Sequence, residues 1–149
     1  MSYLDTGMFS VKSICQYYGK SFDEEQIRHE FSIYDRKLNI NDIQIISKKL
    51  GFKTRVYNKA SINLYKLPLP IIVGDKVGDF FLVAKIVDGN ILVLKMQDGK
   101  PNVIKSDQFY EQWNGEVIVL KQKNYLEKDV KFGFRWFIPT ILKYMKQLL

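Results

Sequence analysis

Cysteine and histidine are almost missing from these 149 residues, with Cys15 and His29 the single example of each. One cysteine cannot close an internal disulfide, and one cysteine with one histidine falls short of a usual zinc ligand set, so no metal site is expected. No uninterrupted apolar run reaches the roughly 18 residues a bilayer-spanning helix needs. Met1 to Ser10 has neither a basic n-region nor an apolar h-region and carries Asp5, so a secretory signal is not expected and the reading is of a domain on the cytoplasmic side. Repeats and low-complexity tracts are also lacking in the first 120 residues.

What is present suffices for one domain, since 46% of the residues are apolar and the length matches a single core. The net charge of +7 is unevenly spread. Residues 1–120 hold sixteen basic and fourteen acidic side chains, whereas 121–149 hold seven basic and two acidic. A nearly balanced domain followed by a basic tail argues against a nucleic-acid groove, which interleaves its charge with stacking aromatics, and no nucleic-acid partner is expected. The tail has the pattern of a membrane-proximal segment instead. Residues 121–131 read as a linker and 132–149 as an amphipathic stretch in which Arg135, Trp136, Phe137, Lys143 and Lys146 meet the bilayer surface, leading to a transmembrane domain beyond this chain.

Along the chain, Met8, Val11, Ile14, Cys15 and Tyr18 recur at helical spacing, entered through Asp5-Thr6-Gly7 and closed by Gly19. Ser21 with Glu24 predicts a capping box for a short second helix, and Asn41 with Gln44 one for a third that ends at Gly51. His29, between Arg28 and Glu30, reads as a solvated surface residue. From Phe52 the period falls to two. Strands are expected over FKTRVY, over the apolar run Leu69–Val73, over Phe80–Val87, through the Asp88-Gly89 hairpin into Ile91–Met96, and over Glu116–Leu120. Ser106 is expected to cap a last short helix containing Phe109 and Trp113. Helices followed by an antiparallel sheet make an α+β domain over residues 1–120.

The opening DTG, followed by an apolar helix ending QYYG, resembles the start of the papain-like, double-glycine-cleaving cysteine peptidase domains, peptidase family thirty-nine. The resemblance implies the papain-like fold, with N-terminal helices packed on an antiparallel sheet. Matched to that pattern, Asp5 and Gly7 are kept while Thr6 stands where the catalytic cysteine belongs. FFLVA puts Phe80 at the histidine position, and LVLKMQDG puts Lys95 and Met96 at the Asp-Pro pair. Such a peptidase needs a thiolate, an imidazole and an acceptor orienting that imidazole, so no catalytic residue is expected. Cys15, nine residues beyond Thr6, falls on the opposite helical face about 13 Å along the axis and reads as core.

Further segments, LPLPIIV, KPNVIKSDQF and FRWFIPTILKY, extend the likeness to the degenerate peptidase-like domains of type I secretion ABC transporters of the haemolysin B type. What this implies is a non-catalytic domain at the cytoplasmic face of the bacterial inner membrane. Its partners would be an unfolded exported toxin or other polypeptide, the rest of the transporter, and a membrane-fusion protein. It would hold no cofactor of its own, ATP and magnesium belonging to a nucleotide-binding domain elsewhere in such a transporter. Asp5, Thr6, Phe80 and Lys95 are the expected border of a substrate groove. The alternatives are a residual peptidase processing a leader peptide, using Thr6 as an exposed amino-terminal nucleophile, and a basic membrane-surface module.

Overall fold

A computed structural model describes residues 5–58 and 63–122. Three helices come first, α1 (Thr6–Tyr17), α2 (Glu24–Glu30) and α3 (Ile40–Lys49). Strands β1 (Phe52–Asn58), β2 (Ile71–Asp75), β3 (Phe80–Val87), β4 (Asn90–Leu94) and β5 (Pro101–Lys105) follow, with a single 3-10 turn at Leu64–Lys66. Helix α4 (Ser106–Gln112) then leads directly into β6 (Trp113–Gln122). All neighbouring strands run antiparallel in the order β1-β6-β2-β3-β4-β5. This is the expected α+β architecture.

Both faces of the sheet are covered, which accounts for the unbroken apolar run in β2 where alternation would mark a one-sided strand. On one face α1, α2 and α3 lay Met8, Val11, Ile14, Ile27, Ile43 and Ile46 against Phe52, Ile72, Phe80, Leu82, Ile118 and Leu120. On the other, Phe109 of α4 packs with Trp113 and with Ile71, Val73, Phe81, Val83, Val117 and Val119. Phe80 and Phe81 are adjacent in sequence and so serve opposite cores. The β3–β4 hairpin turns at Asp88 and Gly89, both at positive φ, as the Asp-Gly signal predicts.

Helix boundaries differ from the sequence reading in instructive ways. Helix α2 is capped by Asp23, whose carboxylate accepts the Gln26 N–H at 3.2 Å, rather than by Ser21. The capping box of α3 is Asn39 with Asp42, two residues before the expected pair, and each accepts the other's backbone N–H at 2.9 and 2.8 Å. Starting there lets Ile43 and Ile46 point inward while Asp42 complements the helix dipole. Ser106 begins α4 but its hydroxyl donates to the Gly89 carbonyl at 3.0 Å, tying α4 to the β3–β4 turn. Trp113 opens β6 instead of lying in the helix. Strand β6 reaches Gln122, and the rest of the expected linker and the segment with Arg135, Trp136, Phe137, Lys143 and Lys146 lie outside the described residues. Among the described residues no helix is long and apolar enough to cross a membrane.

Candidate functional site

Helix α1 begins at Thr6 because Asp5 caps it, accepting the Met8 N–H at 3.1 Å. The same carboxylate accepts the Leu38 N–H at 3.2 Å and the Arg28 guanidinium at 3.0 Å, and the residue is only 3% exposed. Asp5 therefore ties α1 to α2 and to the connection before α3, and presents nothing to solvent. Gly7 is required beside it: a Cβ there would stand 3.0 Å from Leu38 Cβ and 3.1 Å from Ile43 Cδ1. The Asp-x-Gly pattern is thus accounted for by packing at this helix start.

Thr6 sits against the start of β3. Its Oγ1 accepts the Phe80 N–H at 2.8 Å and approaches Asp79 Oδ1 at 3.5 Å, a contact Asp79 shares with Lys37 Nζ at 3.6 Å. A carboxylate at that separation is far too weak a base to take a threonine proton. Phe80 is 7% exposed and belongs to the helix-side core, its ring lying over Gly7. Lys95 is directed to the opposite side of the sheet, where its ammonium hydrogen-bonds Gln112 and lies 5.0 Å above the Phe81 ring centroid.

The cleft that reaches Thr6 is small, about 210 Å³, and its lining is Thr6, Lys37, Asp79, Met96 and Gln97. Of the four residues expected to border a groove, Thr6 alone does so. Asp5 is consumed by capping and Phe80 by the core, while Lys95, just past the end of β4, is held away by Gln112 and the Phe81 ring. Met96, its neighbour, takes the place facing the cleft. Asp79 and Lys37 were missed: the first was hidden in a loop before a strand, and the second in a polar connection with no motif around it.

Other reactive groups do not line this cleft. Cys15 is fully buried, and burial pushes its thiol up to about 12 against the opposing influence of Lys20. His29 is exposed and its Nδ1 pairs with the Tyr34 hydroxyl at 3.0 Å. Among the described residues no cluster of three or more histidine, cysteine, aspartate or glutamate side chains could hold a metal ion.

With this geometry in view, comparison with known proteins gives a family. The peptidase C39 family model matches residues 1–125. The chain belongs to the peptidase C39 family. Among curated relatives, the leukotoxin translocation ATP-binding protein LktB of Mannheimia haemolytica is 28% identical over 148 residues, and that of Bibersteinia trehalosi is equally similar. Each alignment takes in 97% of this chain but 21% of the relative, so the chain spans about a fifth of the length of the curated relatives it matches. Among solved structures, the N-terminal peptidase C39-like domain of the toxin secretion ATP-binding protein from Vibrio parahaemolyticus superposes with a TM-score of 0.71 at 23% identity. That match covers 82% of this chain and 100% of the other. A double-glycine-motif protease from an AMS/PCAT transporter, solved in complex with its leader peptide, gives a TM-score of 0.73 at 18% identity over 83% of this chain and 88% of its own. The peptidase domain of Streptococcus ComA gives 0.72 at 20% identity over 83% and 95%. At these identities the C39 structures share the fold of this chain.

Proposed function

We propose that this C39 domain has no peptidase activity and serves as the cytoplasmic docking domain of a toxin-exporting ABC transporter, holding an unfolded polypeptide near the inner membrane during export. The observation that carries the reading is the use made of Thr6 and Phe80. The hydroxyl at the head of α1 is engaged as acceptor for a buried backbone N–H, and an aromatic ring packed in the core fills the neighbouring position that the family resemblance gives to an imidazole. A nucleophile so placed has no base to receive its proton and no shuttle to return one to a leaving group. The similarity to the LktB proteins supports the transporter context, and the leader peptide bound to the AMS/PCAT protease supports a polypeptide as the ligand class. The membrane-fusion partner, and the ATP and magnesium chemistry of a nucleotide-binding domain, belong to the whole transporter under this reading.

The cleft at Thr6 suits such a role only as one point of attachment. At about 210 Å³ it is below the size of most small-molecule sites and admits a side chain of an extended polypeptide between Met96 and the Lys37–Asp79 pair. Incubation with a double-glycine leader peptide, followed by mass spectrometry, tests the absence of chemistry. The peptide is expected to remain intact, and Thr6→Cys alone is expected not to start turnover, since position 80 still lacks an imidazole. Cleavage by the natural sequence that disappears in Thr6→Ala would overturn the proposal in favour of a threonine-dependent peptidase.

A further inference from the structure

A second cleft, of about 280 Å³, lies on the α4 side of the sheet at its β1 end, lined by Lys53, Arg55, Tyr57, Lys66, Val119 and Lys121 together with Leu67 and Pro68. Four of these side chains are cations and none is an acid. Lys53 and Lys121 stand directly opposite each other across the β1–β6 ladder, a like-charge pairing that costs stability unless something anionic relieves it. Arg28, Arg36, Lys37 and Lys49, away from this cleft, have carboxylate partners. Among the described residues, none of the four cations at this cleft has one.

The cleft also adjoins an open strand edge. Strand β1 is terminal in the sheet and pairs with β6 alone among the described residues, so half of its backbone N–H and C=O groups face outward. Lys53, Arg55 and Tyr57 are alternate residues and share a face, two cations followed by an aromatic ring. A strand laid along β1 would bring its own alternate side chains within about 5 Å of these three. The basic segment after Gln122, with six basic and two acidic side chains, is the wrong charge to fill the site. A nucleic acid would need stacking surfaces, and Tyr57 is the lone aromatic in the lining.

We infer that the β1 edge and its cationic cleft are a docking site for an acidic polypeptide strand, one carrying carboxylates at alternate positions opposite Lys53 and Arg55 and an apolar residue opposite Tyr57. The inference rests on the docking role proposed above and gives that role a ligand chemistry and a second site, on the sheet face away from Thr6. Backbone pairing along β1 supplies register, and the cations select acidic sequence and speed encounter.

The probe is a fluorescent dodecapeptide alternating glutamate and threonine, with a glutamine-for-glutamate peptide as its neutral counterpart, titrated into the full chain while amide hydrogen exchange is followed. The acidic peptide is expected to bind, to slow exchange at amides of residues 52–58, and to weaken with added salt. The double variant Lys53→Glu, Arg55→Glu is expected to weaken it about tenfold or more, and Lys53→Arg, Arg55→Lys to retain it. Both positions are exposed, so these changes leave the cores intact. Equal binding of the neutral peptide, indifference to the charge reversal, or protection confined to the Thr6 cleft would each overturn the inference. So would displacement of the peptide by inorganic phosphate or by a single-stranded oligonucleotide protecting the same residues, since the site would then read charge without a strand. Loss of peptide binding with retained binding of an unfolded toxin removes this inference alone. Retained peptide binding with no binding of the toxin removes the docking role alone.

Discussion

Thr6 Oγ1 accepts the Phe80 N–H where water has little access, so its removal strands a buried donor. Thr6→Val is expected to destabilise the domain by about 1–3 kcal/mol in urea unfolding, with Thr6→Ser close to neutral because it keeps the acceptor. If Val and Ser behave alike, the hydrogen bond is not what fixes this residue. Phe80→Ala opens a cavity in the helix-side core and should cost roughly 3–5 kcal/mol. Cys15 combines full burial with a thiol pushed up to about 12. Iodoacetamide at mildly alkaline pH should leave it unmodified in the native chain and label it only after unfolding. Native-state labelling at the rate of a free thiol would contradict the packing of α1.

Element by element, the polar ends of helices carry the sharpest tests. The Asp42 carboxylate is held below the usual aspartate range chiefly by its hydrogen bonds to Arg36, with burial opposing and the Asn39 N–H assisting. A carboxylate lowered in the folded state adds stability that is present above its unfolded value near ~4 and is lost as pH falls through its folded value. Asp42→Asn should therefore lower stability at neutral pH and flatten the acid limb of the stability profile. A limb of unchanged steepness would show that other groups govern it. Gly7→Ala would drive a methyl into Leu38 and Ile43, with a cost of about 1–3 kcal/mol expected in the same assay.

Most elements were legible in sequence because they have a local cause: helical spacing in Met8–Tyr18, left-handed Gly19 and Gly51, and the Asp88-Gly89 turn. Strand β5 was not expected, since its short run opens on Pro101 and is only half-buried, with no clear alternation. Cap positions shifted by two residues because Ser21, Asp23, Asn39 and Asn41 are all good caps, and which is used depends on burial of the isoleucines that follow. The site was legible only at Thr6. Lys95 and Met96 lie just past the end of β4, where the turn decides which of them faces the cleft, and Lys37 is brought to Asp79 by tertiary packing across 42 positions, so no local pattern announces either.

For the molecule as a whole, the two-faced sheet separates two surfaces: a small cleft at Thr6 on the helical side and a cationic strand edge on the other. Neither needs catalysis to hold an extended chain. The basic residues beyond Gln122 give a further expectation. The full chain should bind anionic liposomes in a salt-dependent way, and a chain ended at Gln122 should bind them far less. Equal binding by both would remove the membrane-proximal assignment of Arg135, Trp136, Phe137, Lys143 and Lys146.

The central claim is docking of an unfolded polypeptide without chemistry, and one titration tests it most directly. A leukotoxin of the kind for which the LktB relatives are named is added in its freshly diluted unfolded form and in its folded form, and heat of binding is measured while the toxin's mass is checked afterwards. A folded toxin has already paired its strand edges and buried its apolar side chains, so the account predicts saturable binding of the unfolded form, little or none of the folded form, and an unchanged toxin mass. Equal affinity for both forms, no affinity for either, or a cleaved toxin would contradict it.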